Sequence, residues 1–251
     1  MKYTLIILNF SLIFSMSGLE LATKMEERKK PIDTMSKSTM EITKKSGKKR
    51  NLKLINKSKD NSSKQMLWFL EPKDDYGIGF LKIEKNNQPD FMSMWLPGFN
   101  KNRRIQSQNK SDSFMGSDLS YEDMTNRDLE EYNFKILSDE VPCKTDSENI
   151  CYILSSIPKD EYSEYSKHKT WVNKNTFLAI KEESYDKDNK ILKYKEIDYI
   201  LINEYYIMNY LYVKNVQKNT STILKIENIK VNNGFTDNLF HQKNLKRVPV
   251  E

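Results

Sequence analysis

Lys37-Ser38-Thr39-Met40-Glu41-Ile42-Thr43, a turn at Ser46-Gly47, and the return Asn51-Leu52-Lys53-Leu54-Ile55-Asn56 decide the fold. Ser38, Met40 and Ile42 alternate with Lys37, Thr39, Glu41 and Thr43, the period-two pattern of a half-buried strand. The return strand places Leu52 and Leu54 inward, so the pair reads as a β-hairpin. Downstream, the same rhythm predicts strands over residues 65–70, 78–84 and 90–96. They are separated by Asp60-Asn61-Ser62, Asp74-Asp75-Tyr76-Gly77 and Asn86-Asn87-Gln88-Pro89. The second half repeats it over residues 133–141, 150–157, 167–172, 177–185, 191–200, 205–213 and 222–231. Between the halves, residues 98–131 carry weak strand signals, and Asp118 or Ser120 is a candidate cap for a short helix through Tyr121, Glu122, Asp123 and Met124. Ahead of the meander, residues 19–29 predict a short helix with Leu21, Ala22 and Met25 on one face, closed by Pro31. A sheet of this width curls strongly and closes or wraps something. The expectation is a mainly β chain, a curved antiparallel sheet with a few helices over its concave face.

The first residues point to export. Met1-Lys2-Tyr3-Thr4 is a short positive start, and the apolar run from Leu5 to Phe14 is broken only by Asn9 and Ser11. The run is too short for a membrane span, which needs about 20 apolar residues. Ser15 and Ser17 have the spacing a signal peptidase reads, so residues 1–17 are expected to be a cleaved secretory signal. The competing reading is a buried N-terminal strand or helix. No Cys stands at the cut to carry a lipid. No linker rich in Gly, Ser or Pro divides residues 18–251, which are expected to form one domain.

Composition narrows the function. Two cysteines exclude a disulfide-rich scaffold and a four-thiolate zinc site, and His168 and His241 are too far apart in sequence to suggest multi-histidine metal chemistry. No cofactor is expected. The net charge of +6 rests on Lys in an Asn- and Ile-rich chain, and no groove-reading motif accompanies it, so nucleic acid is not an expected partner. Ser113, Ser117 and Ser120 have no adjacent His and no nucleophile elbow. The acidic pair in Tyr121-Glu122-Asp123 reads as complementation of a helix start, so enzymatic activity is not expected. Cys143 and Cys151 flank a polar turn. They are either cross-strand partners in a disulfide, as an oxidising compartment permits, or two unpaired thiols.

Several stretches carry a family resemblance. Trp95-Leu96-Pro97, Arg103-Arg104-Ile105, Ser111-Asp112-Ser113-Phe114-Met115-Gly116-Ser117-Asp118 and Ser120-Tyr121-Glu122-Asp123 resemble the signature of exported outer-membrane lipoprotein-sorting proteins, relatives of the lipoprotein carrier LolA. The resemblance continues in Tyr76-Gly77-Ile78-Gly79-Phe80-Leu81 and in the closing Phe235-Thr236-Asp237-Asn238-Leu239-Phe240 with Asn244-Leu245. It implies an unclosed, LolA-like β-barrel whose cavity shelters the acyl chains of a lipid or lipoprotein. It further implies a periplasmic monomer passing cargo from an inner-membrane transporter, of RND or ABC type, to an outer-membrane acceptor. The family commonly has aromatics four and two residues before the Pro; here those slots hold Ser93 and Trp95, which implies a different cavity or core at the first.

Residue roles follow as expectations. Trp68, Phe80, Met92, Met94, Trp95, Phe114, Met115 and Met124 are candidates for cavity wall or lid, the methionines because a thioether chain adapts its shape. Met66-Leu67-Trp68-Phe69-Leu70 and Phe91-Met92-Ser93-Met94-Trp95-Leu96 are apolar on both faces, as expected where each face meets a core, a helix or a ligand. Arg103 and Arg104 either accept a lipid phosphate or form charge-assisted bonds with Asp112 and Asp118. Lys44, Lys45, Lys48, Lys49 and Arg50 occupy a hairpin tip, as a solvated turn or as a docking patch for an acidic partner or membrane. That patch supports an alternative function, an accessory subunit of an envelope export complex that carries nothing.

Overall fold

The computed structural model describes residues 16–85, 88–144 and 148–249. Residues 1–15 of the expected export signal, and parts of the turns at 86–87 and 145–147, lie outside the described residues. Among the described residues one α-helix comes first, α1 (Gly18–Glu26). Thirteen antiparallel strands follow: β1 (Asp33–Thr43), β2 (Lys49–Lys59), β3 (Lys64–Glu71), β4 (Gly79–Ile83), β5 (Phe91–Leu96), β6 (Lys101–Ile105), β7 (Tyr132–Pro142), β8 (Ile150–Pro158), β9 (Lys167–Asn173), β10 (Ala179–Tyr185), β11 (Ile191–Ile202), β12 (Tyr205–Asn215) and β13 (Thr220–Val231). They form one unclosed sheet in the order β6-β5-β4-β3-β2-β1-β13-β12-β11-β10-β9-β8-β7. All neighbours are consecutive in sequence except β1 and β13. Their pairing, with Met40 opposite Leu224, joins the two half-meanders at the middle.

The opening hairpin sets the register. Met40 faces Leu52 and Ser38 faces Leu54, and the same inward side continues through Leu67, Phe80 and Met94. Two elements cover this inner face. At one end the segment between β6 and β7 lays Phe114, Leu119 and Tyr121 on a core of Leu52, Phe69, Phe80 and Met94. At the other end Leu21 and Ala22 of α1 pack on Leu154 and Val172. Charged side chains fill the stretch between.

The outer face carries an apolar cluster on β3 to β5, where Met66, Trp68, Leu81 and Trp95 lie under Phe240 and Leu245 of the C-terminal tail. Trp68 Nε1 donates to the Leu245 carbonyl at 3.0 Å. Gly79 lies between Trp68 and Trp95 in the register, and a Cβ there would meet Leu245 O at 3.0 Å, so glycine lets the tail cross.

Two expectations need correction. β6 was not foreseen, because Lys101, Asn102, Arg103 and Arg104 are all exposed and an edge strand needs no apolar alternation. The helix expected to run to residue 29 stops at Glu26, since Glu26-Glu27-Arg28-Lys29-Lys30 gives it nothing apolar to bury after Met25. The short helix expected over residues 121–124 is a single 3₁₀ turn at Glu122–Met124. Among the described residues no helix is long and apolar enough to cross a membrane.

Ser17 caps α1 with a reciprocal box: its hydroxyl accepts from Glu20 N–H, and the Glu20 carboxylate accepts from Ser17 N–H at 2.6 Å. Cleavage immediately after Ser17 would remove that cap. Gly18 packs so closely on β7 that a Cβ would stand 2.5 Å from Lys135 N. Gly18→Ala is therefore expected to lower stability by about 1–3 kcal/mol, the cost of forced overpacking, measured by urea denaturation. An unchanged midpoint would show that α1 is not docked on β7.

Candidate functional site

The covered inner face is not filled. Between the sheet and the segment around residues 114–126 lies a cavity of about 380 Å³, open to solvent on one side. Its deep wall is apolar, with Met40, Leu54 and Leu67 from the sheet's first half and Leu211 and Leu224 from β12 and β13. Phe114, Leu119 and Met124 close it from above. Its lip carries polar and charged groups, Arg28, Lys30 and Gln65 among them, and two apolar-bodied side chains, Ile32 and Tyr206, 66% and 44% exposed respectively. The space is thus amphipathic, lined by hydrocarbon at depth and by donors and cations at the mouth.

The roof is held at three points. Phe114 is fully buried against Phe80, ring centroids 5.2 Å apart, with Tyr121 edge-on at 5.8 Å. Tyr121 Oη also donates to Met94 Sδ at 3.0 Å. Asp118 accepts from the hydroxyls of Thr220 and Thr222 on β13, the latter at 2.7 Å. Asp123 accepts from Lys193 Nζ at 2.8 Å, from Lys195 Nζ at 2.6 Å and from the Tyr165 hydroxyl.

The last of these belongs to a buried ion network. Lys195 also donates to Glu182 at 3.1 Å, and Glu182 accepts a bidentate pair from Arg127 at 2.6 and 2.8 Å and a bond from Thr170. Burial alone would neutralise these groups, but the ion pairs outweigh it. Lys195 and Lys193 hold the Asp123 carboxyl well below its ordinary range, and Arg127 and Lys195 do the same for Glu182. Against its own burial, Lys195 is raised by Asp123 and Glu182. His168 sits beside them with Nδ1 2.9 Å from Ser184 Oγ and no partner for Nε2. Burial, reinforced by Arg127, pushes its imidazole well below the usual value, so it stays neutral.

The residues singled out in the sequence fall in different places. Phe114 and Met124 line the cavity. Phe80, Met92 and Met94 belong to the core beneath the roof, and Met115 packs against its edge. Trp68 and Trp95 are on the opposite face under the tail, because odd and even positions of a strand face opposite ways. Ser93 shares that outer face and receives a hydrogen bond from Gln242 at 2.9 Å, so the non-aromatic slot bears on the tail and not on the cavity.

Arg103 and Arg104 are exposed on β6 and, as strand neighbours, face opposite sides; Arg104 stacks over Phe91. Among the described residues neither bonds to Asp112 or Asp118: Asp118 is taken by Thr220 and Thr222, and Asp112 is exposed. Glu122 and Asp123 are buried counter-charges rather than helix-start complements. Part of the basic hairpin is spent on the roof: Lys44 Nζ donates to Gly116 O, and Arg50 donates to Met115 O and to Asp75. Lys49 pairs with Glu41, while Lys45 and Lys48 are exposed. Cys143 and Cys151 form a disulfide with the sulfurs 2.03 Å apart.

Sequence reading missed Arg28, Lys30, Lys82, Lys193 and Lys195 as inward groups. A lysine in a Lys-rich β meander gives no sign of which side it faces.

This architecture, a wide unclosed antiparallel sheet, is a LolA-like fold. A family model described as "Uncharacterized protein" matches residues 61–247, and the chain belongs to that family. The structure is similar to a domain from Vibrio parahaemolyticus described as an outer membrane lipoprotein-sorting protein, with 28% identity, 92% of this chain and 98% of that one covered, and a TM-score of 0.85. A DUF1329 family protein from Desulfovibrio piger is 27% identical over 91% of this chain and 97% of its own, with a TM-score of 0.82. A LolA superfamily protein from Nitrosomonas europaea shares the fold at 16% identity, with 91% and 99% covered and a TM-score of 0.72. No curated protein matches the sequence.

The ion network makes two measurable predictions. Arg127→Met leaves Glu182 short of its bidentate partner in a buried site and should cost about 3 kcal/mol in chemical denaturation. The neutral His168 gives the second. Its folded pKa lies below the unfolded value of about 6.5, so the unfolded state takes up the proton first and stability falls as pH drops below that value. The slope from this group is up to about 1.4 kcal/mol per pH unit. In His168→Gln the fall between pH 6.5 and 5 should be shallower by close to one proton; an unchanged slope would mean that His168 titrates freely in the fold.

Proposed function

We propose that this protein is an exported, non-enzymatic carrier that takes the apolar chain of a lipid-like amphiphile into the roofed cavity and carries it across the periplasm, from an inner-membrane transporter toward an outer-membrane acceptor. The observation that carries this reading is the cavity itself, apolar at depth and wet at the mouth. Similarity over most of the chain to a protein described as lipoprotein-sorting supports it. Residues 18–251 act as one carrier domain on this reading.

The physical task fits the site. Each methylene taken from water contributes about 0.8 kcal/mol, so a long chain does not cross an aqueous compartment unaided. Ligand cavities for drug-sized molecules span about 300–1,000 Å³. At about 380 Å³ this one is near the lower bound, which suits one chain rather than several. The mouth leaves a headgroup in water, so that a partner can engage it during transfer.

Native mass spectrometry of protein purified from a periplasmic extract without detergent should show an added mass that extracts into organic solvent. Leu224→Trp, which fills the deep wall, should weaken binding of a fluorescent fatty acid at least tenfold with little change in fold. Absence of saturable binding to the wild-type protein would overturn the carrier reading.

A further inference from the structure

The charges around the cavity are unevenly matched. Lys59 pairs with Asp237 at 2.7 Å, and Lys82 donates to Glu84 at 2.6 Å and to the Met124 carbonyl. Asp123 is bound by Lys193 and Lys195. Asp33 spends both oxygens on the backbone N–H groups of Asn233, Gly234 and Phe235 and on the Asn233 side chain. Arg28 and Lys30, on the link between α1 and β1, line the mouth with no carboxylate in salt-bridge contact among the described residues. Among the described residues Arg28 makes one hydrogen bond, from Nε to the Met25 carbonyl at 3.1 Å, which leaves the rest of its guanidinium fork without a hydrogen-bond partner there. Lys29, between them, is engaged elsewhere, with Glu204 at 2.5 Å.

Two half-buried cations side by side, unpaired, are costly unless something anionic completes them. The strain shows in both groups. Burial lowers Arg28 from its ordinary value, and burial together with the neighbouring Arg28 charge lowers Lys30, with only the exposed Glu26 acting against this. Both belong to the wall of a cavity whose depth is hydrocarbon, so the anion that completes them would be attached to an apolar chain.

The geometry points to Arg28 and Lys30 as an anion clamp, so that the carried molecule is a single-chain amphiphile with a carboxylate or phosphate head. This rests on the carrier reading and narrows it to a cargo class. The guanidinium fork matches either group bidentately, and Lys30 adds a point charge beside it.

The test uses one chain with four heads: dodecanoate, dodecyl phosphate, dodecanol and dodecyltrimethylammonium, each below its micelle concentration, titrated by displacement of a fluorescent probe. Wild-type protein should bind the two anions at least tenfold more tightly than the alcohol, and the cation most weakly. The Arg28→Gln/Lys30→Gln double variant should lose at least tenfold for the anions while holding the alcohol within about twofold. Arg28→Lys/Lys30→Arg, which keeps the charge, should retain the anion preference and controls for folding.

If the alcohol binds as tightly as the acid, or the double variant still prefers anions, the clamp is overturned and the carrier stands. If no head binds, the carrier reading falls and the clamp with it. Tighter binding of the phosphate would point to a single-chain, lysophospholipid-type cargo, and tighter binding of the carboxylate to a free fatty acid.

Discussion

Asp123 between Lys193 and Lys195, and Glu182 between Lys195 and Arg127, form the interaction on which the rest of this structure depends. A thirteen-stranded sheet presents far more inner surface than one nine-residue helix can cover. The segment between β6 and β7 supplies the remaining cover, and it is built from short 3₁₀ turns and the Ser113–Ser120 bridge rather than from a strand of the sheet. Apolar contacts at Phe114 pin one end of it. The other end is held by charges that would be prohibitive alone and are tolerable only in register with one another. The pairs fix where the roof lies, because moving Asp123 away takes one counter-charge from each of two buried lysines and leaves Lys193 only Glu164 and Lys195 only Glu182.

The cavity is a consequence of that placement. With Phe114 and Leu119 seated on the core and Asp123 tied to β11, the roof spans a stretch of sheet it does not touch. Sheet residues facing the gap change from Met40, Leu54 and Leu67 to Ser36, Asn56 and Ser58 toward the lip. The polarity gradient therefore comes from the strands themselves, read along their length, and the roof decides which part is enclosed. The same separation keeps the ionic region from becoming the site: its own space is only about 40 Å³, large enough for ordered water.

The opposite face shows how local geometry settles a question that side-chain type cannot. Trp68 and Trp95 are as apolar as any residue in the core, yet they pack under the tail, with Lys246 Nζ 4.5 Å from the Trp95 ring. Gly79 leaves the room, and Ser93 gives Gln242 an acceptor. An aromatic at position 93 would compete for that place with the tail rather than with cargo in the cavity.

The period-two alternation from Ser38 to Ile42 and its repeats determined the antiparallel sheet without help from anything distant, because side chains must alternate across a strand whatever it packs against. The helix at Leu21 and Ala22 was equally local. β6 was invisible, since the edge of a sheet asks nothing apolar of Arg103 and Arg104. In β11, the pattern shows that Lys193, Lys195 and Ile197 share one face and Leu192, Tyr194 and Glu196 the other; hydrophobicity alone favours turning Leu192 and Tyr194 inward. Only the tertiary structure decides otherwise, by bringing Asp123 to both lysines from 70 or more residues away, beside the Glu182 that faces Lys195 from β10. The cavity and its Arg28–Lys30 mouth were hidden for the same reason: strand periodicity is a property of neighbouring residues, whereas a counter-charge, or the lack of one, is set by whatever the folded chain places within a few ångströms.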